Sequence, residues 1–505
     1  MRSSALVVVA ILSLTACAGN SSGGSVSSPG VSGSGTPTPS ASSSGVPEPT
    51  SLVWKPCTEK ELDGLDCGTL VVPKNYADAG AGTFSLAVVR AKATGTAGQR
   101  IGSLFFNPGG PGVSSVSLAP QVVPALPQQL RQRFDFVTWD PRGVGRSSGL
   151  TECKDATYEL PATGTVDWNS VVDQMRTAAK TSNQECAKRY PDVVPYISTN
   201  ANARDLDRLR AAVGDTKLTY WGTSYGTRIG YVYGHDYPDR VRAMLLSSPV
   251  DPAGTWQSFA YGSATSPDNA VGFFFEAYPL AEQQYDRVIN SLTSQALTLP
   301  SGAQVTHWSV QAIVANSVKG QSDYSSAVQL LTTVDAAIFG TAAAQTKAKA
   351  ALDTMPWTQG PSINGGAPPF VGCLDYPQRM TRDEQAAMAA RIRGTAPVFG
   401  WGASQGVFFC EGVDVTPDPV PVDFTNTVTP VLVMGTTRDA LTQYGWATDV
   451  ARTFRNSRVV TYVGTVHTPF LGAGSACVDA PGIDYLVTLK RPTVDVACPN
   501  TAVKN

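Results

Sequence analysis

Gly222-Thr223-Ser224-Tyr225-Gly226 constrains this chain more than any other stretch. Before it, Lys217-Leu218-Thr219-Tyr220-Trp221 reads as a short buried strand; after it, Thr227-Arg228-Ile229-Gly230-Tyr231-Val232-Tyr233 reads as the start of a helix. A serine held between glycines where a strand turns sharply into a helix is a nucleophile elbow. The glycines are required because nothing with a Cβ fits beside the strained serine. The elbow lifts the hydroxyl out at the carboxyl end of a parallel sheet, at a helix N-terminus whose dipole favours developing negative charge. An ordinary Gly-Ser turn is the competing reading, and it gives no reason for a strand on one side and a helix on the other.

A serine hydroxyl needs a general base, and the base needs an orienting carboxylate. The chain has three histidines. His235 falls at the far end of the helix leaving the elbow and reads as a surface or capping residue. His307 sits in the polar stretch Val305-Thr306-His307-Trp308 without a companion and reads as structural. His467 lies in the loop Gly464-Thr465-Val466-His467-Thr468, directly after the apolar strand Val459-Val460-Thr461-Tyr462-Val463. The strand Pro430-Val431-Leu432-Val433-Met434-Gly435 runs into Thr436-Thr437-Arg438-Asp439, which supplies the acid. One helix, over about residues 441–454, and one strand separate Asp439 from His467, a single βα repeat, so both loops emerge on the same edge of a sheet. Asp449 is the rival acid, but it falls inside that helix. The order Ser224, Asp439, His467 is that of an α/β-hydrolase triad and of neither unrelated protease order.

An oxyanion hole takes one N–H from the residue after the nucleophile and one from an early strand-to-helix loop. Ser103-Leu104-Phe105-Phe106 is a strand, followed by Asn107-Pro108-Gly109-Gly110-Pro111-Gly112. Pro111 has no N–H, so the expected donors are Gly110, with Gly109 in reserve, and Tyr225. A further strand, Phe134-Asp135-Phe136-Val137-Thr138-Trp139, ends in Asp140-Pro141-Arg142-Gly143-Val144-Gly145. Its Gly-x-Gly lacks the helix start and the later acid of a nucleotide site. Asp140 and Arg142 are expected to brace the loops under the site.

Taken together, Asn107-Pro108-Gly109-Gly110-Pro111-Gly112, Asp140-Pro141-Arg142-Gly143, Gly222-Thr223-Ser224-Tyr225-Gly226-Thr227, Gly435-Thr436-Thr437-Arg438-Asp439 and the His467 loop with Gly474-Ser475-Ala476-Cys477-Val478-Asp479 resemble a known family. It is the exported tripeptidyl-aminopeptidase branch of the α/β-hydrolase serine peptidases of actinobacteria, related to the proline iminopeptidases. The resemblance runs from about Trp54 to Cys498. It implies an α/β-hydrolase fold, a mostly parallel sheet flanked by helices with a mainly helical cap, and release of short peptides, often tripeptides, from a free N-terminus. Three stretches depart from the family pattern. Asp-Pro-x-Thr-Pro becomes Asp439-Ala440-Leu441-Thr442-Gln443, which leaves the acid intact; Leu-Asp-Gly becomes Leu246-Ser247-Ser248; and an aromatic and Trp-Pro after the cap cysteine become Glu411-Gly412-Val413-Asp414. The last two are expected to line or approach the substrate pocket. The resemblance also favours the local disulfides Cys57–Cys67, Cys153–Cys186, Cys373–Cys410 and Cys477–Cys498, the simplest of many possible pairings.

Met1-Arg2-Ser3-Ser4 precedes an apolar run at residues 5–14, too short to span a membrane and fitting a signal peptide. Leu14-Thr15-Ala16-Cys17 looks like a lipobox, so residues 1–16 are expected to be removed and Cys17 acylated, anchoring the chain to the outer face of a bacterial membrane. Residues 17–50 are nearly all Ser, Gly, Pro, Thr and Val, a flexible tether. Without Cys17 eight cysteines remain, an even number suited to an exported protein, and none has zinc spacing; no metal and no cofactor are expected. The formal charge of −2 and the scattered basic residues argue against a nucleic-acid partner. Strands and helices alternate over 51–252 and again over 427–505, whereas 253–426 is dominated by helical segments such as 325–338, 342–352 and 381–392, the expected cap. A monomer is assumed.

The expected route is an acyl-enzyme with Ser224 as nucleophile, His467 as base and Asp439 as its orienter. An exopeptidase must also receive a substrate ammonium, and a cap carboxylate is the physical solution. Asp375 and Glu411, brought close by a Cys373–Cys410 bridge, are the candidates. A carboxylesterase or lipase would use the same triad on substrates without an amine. A non-catalytic peptide-binding lipoprotein would require a broken triad, and here all three members are present.

Overall fold

The computed structural model describes residues 51–252, 254–319, 324–355, 357, 362–424, 430–454 and 456–500. The expected signal peptide, Cys17, the tether and the expected 426–427 junction lie outside the described residues. Ten strands form one main sheet among the described residues. They are β1 (Lys55–Pro56), β2 (Asp66–Asn75), β3 (Asp78–Ala91), β4 (Gly102–Asn107), β5 (Phe134–Trp139), β6 (Leu218–Thr223), β7 (Val241–Ser247), β8 (Val431–Thr436), β9 (Arg458–Tyr462) and β10 (Val496–Cys498). Their order is β10-β9-β8-β7-β6-β4-β5-β3-β2-β1. From β10 to β5 every neighbour is parallel; β3, β2 and β1 add antiparallel strands at one edge.

Every residue of β4, β5, β6 and β8 is buried, as a parallel sheet covered on both faces requires. Alternate side chains serve the two faces. Phe105, Tyr220, Leu246 and Val433 join one apolar layer, against helices that supply Leu206, Ile229 and Val450. Leu104, Trp221, Leu245 and Leu432 join the other, against Val478, Tyr485 and Leu486. Helices α1 (Ser115–Ala125), α2 (Trp168–Arg189), α3 (Thr199–Ala212) and α4 (Tyr225–Asp236) fall within the first half of the sheet's sequence.

Between β7 and β8 lie α5 (Trp256–Ala277), α6 (Pro279–Ser294), α7 (His307–Val318), α8 (Ser325–Phe339), α9 (Ala367–Asp375) and α10 (Arg382–Thr395). Helix α10 starts at a capping box: the Thr381 hydroxyl accepts the Glu384 N–H while the Glu384 carboxylate accepts the Thr381 N–H. Phe274, Val288, Val314, Leu331 and Ile392 share a third apolar cluster. The partition at 252/253 is not the one the packing makes. Val171, Val172 and Met175 of α2 belong to this helical cluster, although α2 precedes β6. Conversely Phe370, Val371 and Leu374 of α9 pack into the sheet layer, although α9 lies within 253–426. Apolar faces, rather than chain order, decide the layer each helix joins. After β8 come α11 (Tyr444–Thr453) and α12 (Ala476–Thr488).

Four disulfides join Cys57 to Cys67, Cys153 to Cys186, Cys373 to Cys410 and Cys477 to Cys498. The first ties the loop after β1 to β2, the last ties α12 to β10.

Candidate active site

Ser224 sits between β6 and α4 with φ 56° and ψ −130°, a conformation uncommon for a residue with a Cβ and found where function requires it. The Ser224 N–H donates to the Ser247 carbonyl at 3.0 Å, tying the elbow to the end of β7, and its own carbonyl accepts from the Thr227 N–H at 2.9 Å. A Cβ on Gly222 would fall 2.6 Å from the Gly226 carbonyl oxygen, which is why the turn takes glycine there.

Asp439 and His467 leave the ends of β8 and β9. The His467 Nδ1 lies 2.9 Å and 3.0 Å from Asp439 Oδ1 and Oδ2. The carboxylate is 1% exposed and the imidazole 14%. Oδ1 also accepts the N–H groups of Leu441 (2.8 Å) and Thr442 (2.9 Å). Those two bonds close an Asx turn ahead of α11, which begins at Tyr444 rather than 441. Oδ2 accepts the Thr442 hydroxyl at 3.2 Å and the Ser248 hydroxyl at 2.8 Å. Ser248 follows β7; its Oγ also touches the His467 carbonyl oxygen, and its N–H donates to Met434 at 2.8 Å. Ser224 Oγ makes no hydrogen bond to the imidazole in this arrangement. The elbow, acid and histidine loops instead meet through Ser247 and Ser248. Catalytic hydrogen bonds commonly close only once substrate is in place.

The glycine-rich loop after β4 packs onto the elbow. Gly109 has φ +100°, and a Cβ there would fall 2.8 Å from the Tyr225 nitrogen and 2.9 Å from Ser224 Cβ. The Gly109 N–H donates to Asn107 Oδ1 at 3.0 Å, so it is not free for an oxyanion. Among the described residues the Gly110 N–H donates to no protein acceptor, and the Tyr225 N–H begins α4, with no carbonyl one turn before it in the helix. Asp140 braces this region: its carboxylate accepts the Val116 N–H at 3.0 Å and the Arg146 N–H at 2.8 Å. Arg142 is fully buried against Asp205 at 2.6 Å and donates to the carbonyls of Pro73, Lys74 and Tyr196.

The two carboxylates expected to receive a substrate ammonium do not fit that role. Asp375 is buried; it accepts the Thr199 N–H (2.9 Å) and hydroxyl (2.6 Å) and lies 3.6 Å from Arg228. Burial pushes its pKa up to about 6, against the pull of Arg228. The Tyr225 hydroxyl donates to Thr199 Oγ1 at 2.7 Å, so Asp375 anchors the residue that follows the nucleophile. Glu411 is bound by Arg176 at 3.3 Å and by Gln385 Nε2 at 2.7 Å. Both are committed to the protein's own donors. The rejected histidines lie apart: His235 faces Asp236 at 2.8 Å, and His307 opens α7 beside Trp308. Asp449 pairs with Arg452 at 3.0 Å on the surface of α11. Sequence reasoning missed Thr199, Thr442 and Arg228, and placed Ser248 near the pocket without naming its partners. Ser248 alone carried a usable signal, its place at the end of the strand between elbow and acid strands, where loops converge.

Two family models match the chain: one described as alpha/beta hydrolase fold over residues 102–289, the other as TAP-like protein over residues 396–498. Serine protease Hip1 of Mycobacterium tuberculosis is 32% identical, the alignment covering 88% of this chain and 90% of that protein. Tripeptidyl aminopeptidase of Streptomyces lividans is 28% identical over 86% of this chain and 83% of that protein. Carboxylesterase B of M. tuberculosis is 27% identical over 88% and 89%.

Proposed function

The chain belongs to the tripeptidyl-aminopeptidase-like family of α/β-hydrolase serine peptidases, and from that premise we propose that Ser224, His467 and Asp439 make it an aminopeptidase that releases short peptides, tripeptides above all, from free N-termini. The observation that carries the reading is the buried Asp439 carboxylate on His467 Nδ1, one strand beyond the elbow's neighbour in the sheet. With Nδ1–H held by the acid, Nε2 is left as the basic nitrogen that faces a substrate. Ser224 Oγ attacks the scissile carbonyl as its proton passes to His467 Nε2. The N–H groups of Gly110 and Tyr225 receive the oxyanion. His467 then protonates the leaving amine, and water repeats the cycle on the acyl-enzyme.

The test compares a chromogenic tripeptide amide bearing a free N-terminus with its N-acetylated twin, using Ser224→Ala as blank. Cleavage of the free form alone is expected. Equal cleavage of both would replace the aminopeptidase by an endopeptidase, and turnover of simple esters without amides would favour the carboxylesterase reading that one relative's name suggests. We also propose that the protein is exported and anchored through an acylated Cys17, a reading supported by the lipobox and by disulfides that persist in oxidising compartments. Incorporation of labelled palmitate in cells, abolished by Cys17→Ser, is the expected result.

A further inference from the structure

Ser248 is buried, with φ +50°, a backbone region in which glycine would be at ease and a residue with a Cβ is not. Its hydroxyl is wedged between two acceptors: Asp439 Oδ2 at 2.8 Å and the His467 carbonyl oxygen. The Thr442 hydroxyl lies 3.1 Å from its carbonyl oxygen and 3.2 Å from Asp439 Oδ2, with one proton to serve the two. One residue thus touches the acid, the backbone of the histidine and the turn that orients the acid, and it follows directly on Ser247, whose carbonyl holds the Ser224 N–H.

We propose that Ser248 is a positioning residue of the catalytic machinery, holding Asp439 Oδ2 in place and setting how strongly the carboxylate binds the imidazolium. This rests on the catalytic reading of Ser224, His467 and Asp439. A hydroxyl has one proton to donate. Given to Oδ2, it fixes the carboxylate plane facing Nδ1 and drains part of the negative charge that would otherwise attract the imidazolium. Without it the carboxylate loses an anchor and becomes the stronger partner for a charged ring. The rate falls because the carboxylate, and with it the imidazole, loses its fixed orientation, while the more basic carboxylate holds the charged ring more tightly. Other titratable groups near these loops are Tyr324, bonded to Thr465; Tyr444, bonded to Thr461; Asp479, accepting from the Leu471 N–H; and Arg438, paired with Glu276. None of them bonds to Asp439 or His467 among the described residues; the Thr442 hydroxyl, 3.2 Å from Oδ2, also meets this carboxylate, and the Ser248 variants leave it in place.

The decisive variant is Ser248→Gly in the full chain, because glycine relieves the positive φ while deleting the hydroxyl; Ser248→Ala deletes the hydroxyl and keeps the Cβ. Four quantities are measured from pH 5 to 9: the labelling rate of Ser224 by a fluorophosphonate, kcat and KM on the tripeptide amide, and Tm. Expected for Ser248→Gly is a Tm at or above that of the parent. Labelling and kcat should drop about 10- to 100-fold, the size of one hydrogen bond to a charged group. KM should be little changed, and the acid limb of the rate profile should move to higher pH. Ser248→Ala should share the kinetic changes and lose Tm. Parent-like labelling with an unmoved acid limb in Ser248→Gly would overturn the proposal, as would a rate loss that only tracks a fall in Tm. Fluorophosphonate labelling reads the activation of Ser224 whatever the substrate, so a parent that labels but cleaves no peptide amide overturns the peptidase reading and leaves the Ser248 comparison readable. A parent that does not label overturns both.

Discussion

Gly109 and Gly112 flank the cis Gly110–Pro111 bond with nearly the same φ, +100° and +104°, but meet different neighbours. An alanine methyl at Gly112 would touch Ala367 and Pro368 at 3.5 Å, an ordinary contact, whereas at Gly109 it would press on the Thr223 carbonyl at 2.6 Å and on the Tyr225 nitrogen at 2.8 Å. Both substitutions meet a similar positive φ, so their difference reads mainly the approach of this loop to the oxyanion donors. Gly109→Ala should lose at least about 100-fold in kcat/KM relative to Gly112→Ala, the size of losing one oxyanion donor. Kinetics of the two variants beside their Tm values check this; equal losses would place the oxyanion site elsewhere. The loops bearing Ser224, Asp439 and His467 are legible in the sequence because each follows a short apolar strand directly, and local pattern suffices to find such a strand. Ser248 also follows a short apolar strand directly, so its place is legible, but its partners are not. Its partners lie 191 and 219 residues away, and no local pattern encodes which hydroxyl meets which carboxylate. The departure at Leu246-Ser247-Ser248 reads from sequence as a change near the pocket; in the fold the Ser248 hydroxyl bonds the acid itself.

At the scale of elements, α9 is the part whose role sequence could least foretell. Its periodic apolar residues are consistent with any buried helix, but they enter the sheet's own layer, and its last residue, Asp375, meets Arg228 one turn into α4. Arg228 is buried as well; it donates to the Tyr231 hydroxyl at 2.9 Å, to the Asp251 carbonyl at 3.0 Å and to the Tyr376 hydroxyl, and stacks 4.4 Å from the Tyr376 ring centroid. Neutralising the carboxylate leaves a buried guanidinium without its counter-ion and loosens the Thr199 bridge to Tyr225. Asp375→Asn should therefore lower kcat more than it raises KM, because the elbow and not a substrate ammonium is disturbed; burial already opposes the carboxylate's charge, so removing that charge should cost little stability by itself. Glu411→Gln breaks a partly exposed pair with Arg176. It should cost under about 1 kcal/mol and leave KM for free-amine peptides unchanged. Urea unfolding and steady-state kinetics on both variants decide it. A KM raised tenfold or more by either substitution, for free-amine peptides alone, would restore the ammonium-receptor role.

For the molecule as a whole, the α/β-hydrolase class follows from the strand-elbow-helix unit and the buried parallel strands, whereas the composition of the helical layer does not follow from chain order. Helix α2 crosses into it from the first sheet segment because its apolar residues Val171, Val172 and Met175 find partners there. This layer also holds a buried cation that neither motif nor mechanism requires. Lys319, just past α7, is 1% exposed. Among the described residues its partners are Asn316 Oδ1 at 2.9 Å and the Phe399 ring, whose centroid is 5.1 Å from Nζ. Burial pushes its pKa down to about 8. The sign of its effect on stability follows from linkage. The unfolded lysine titrates near 10.4, so at pH 7 the unfolded chain holds this proton more tightly than the folded one. Folding is opposed by the full difference, up to about 3 kcal/mol. As pH rises from 8 towards 10.4, the folded lysine has already released its proton while the unfolded one has not; the opposition shrinks and stability recovers. Lys319→Met keeps the length and apolar stem and removes the charge. It should raise Tm by a few degrees at pH 7, less the loss of the Asn316 bond, and the gain should have largely vanished at pH 10. Thermal melts of parent and variant at the two pH values check this. A gain of the same size at both would show that packing, not the buried charge, is what the substitution changes.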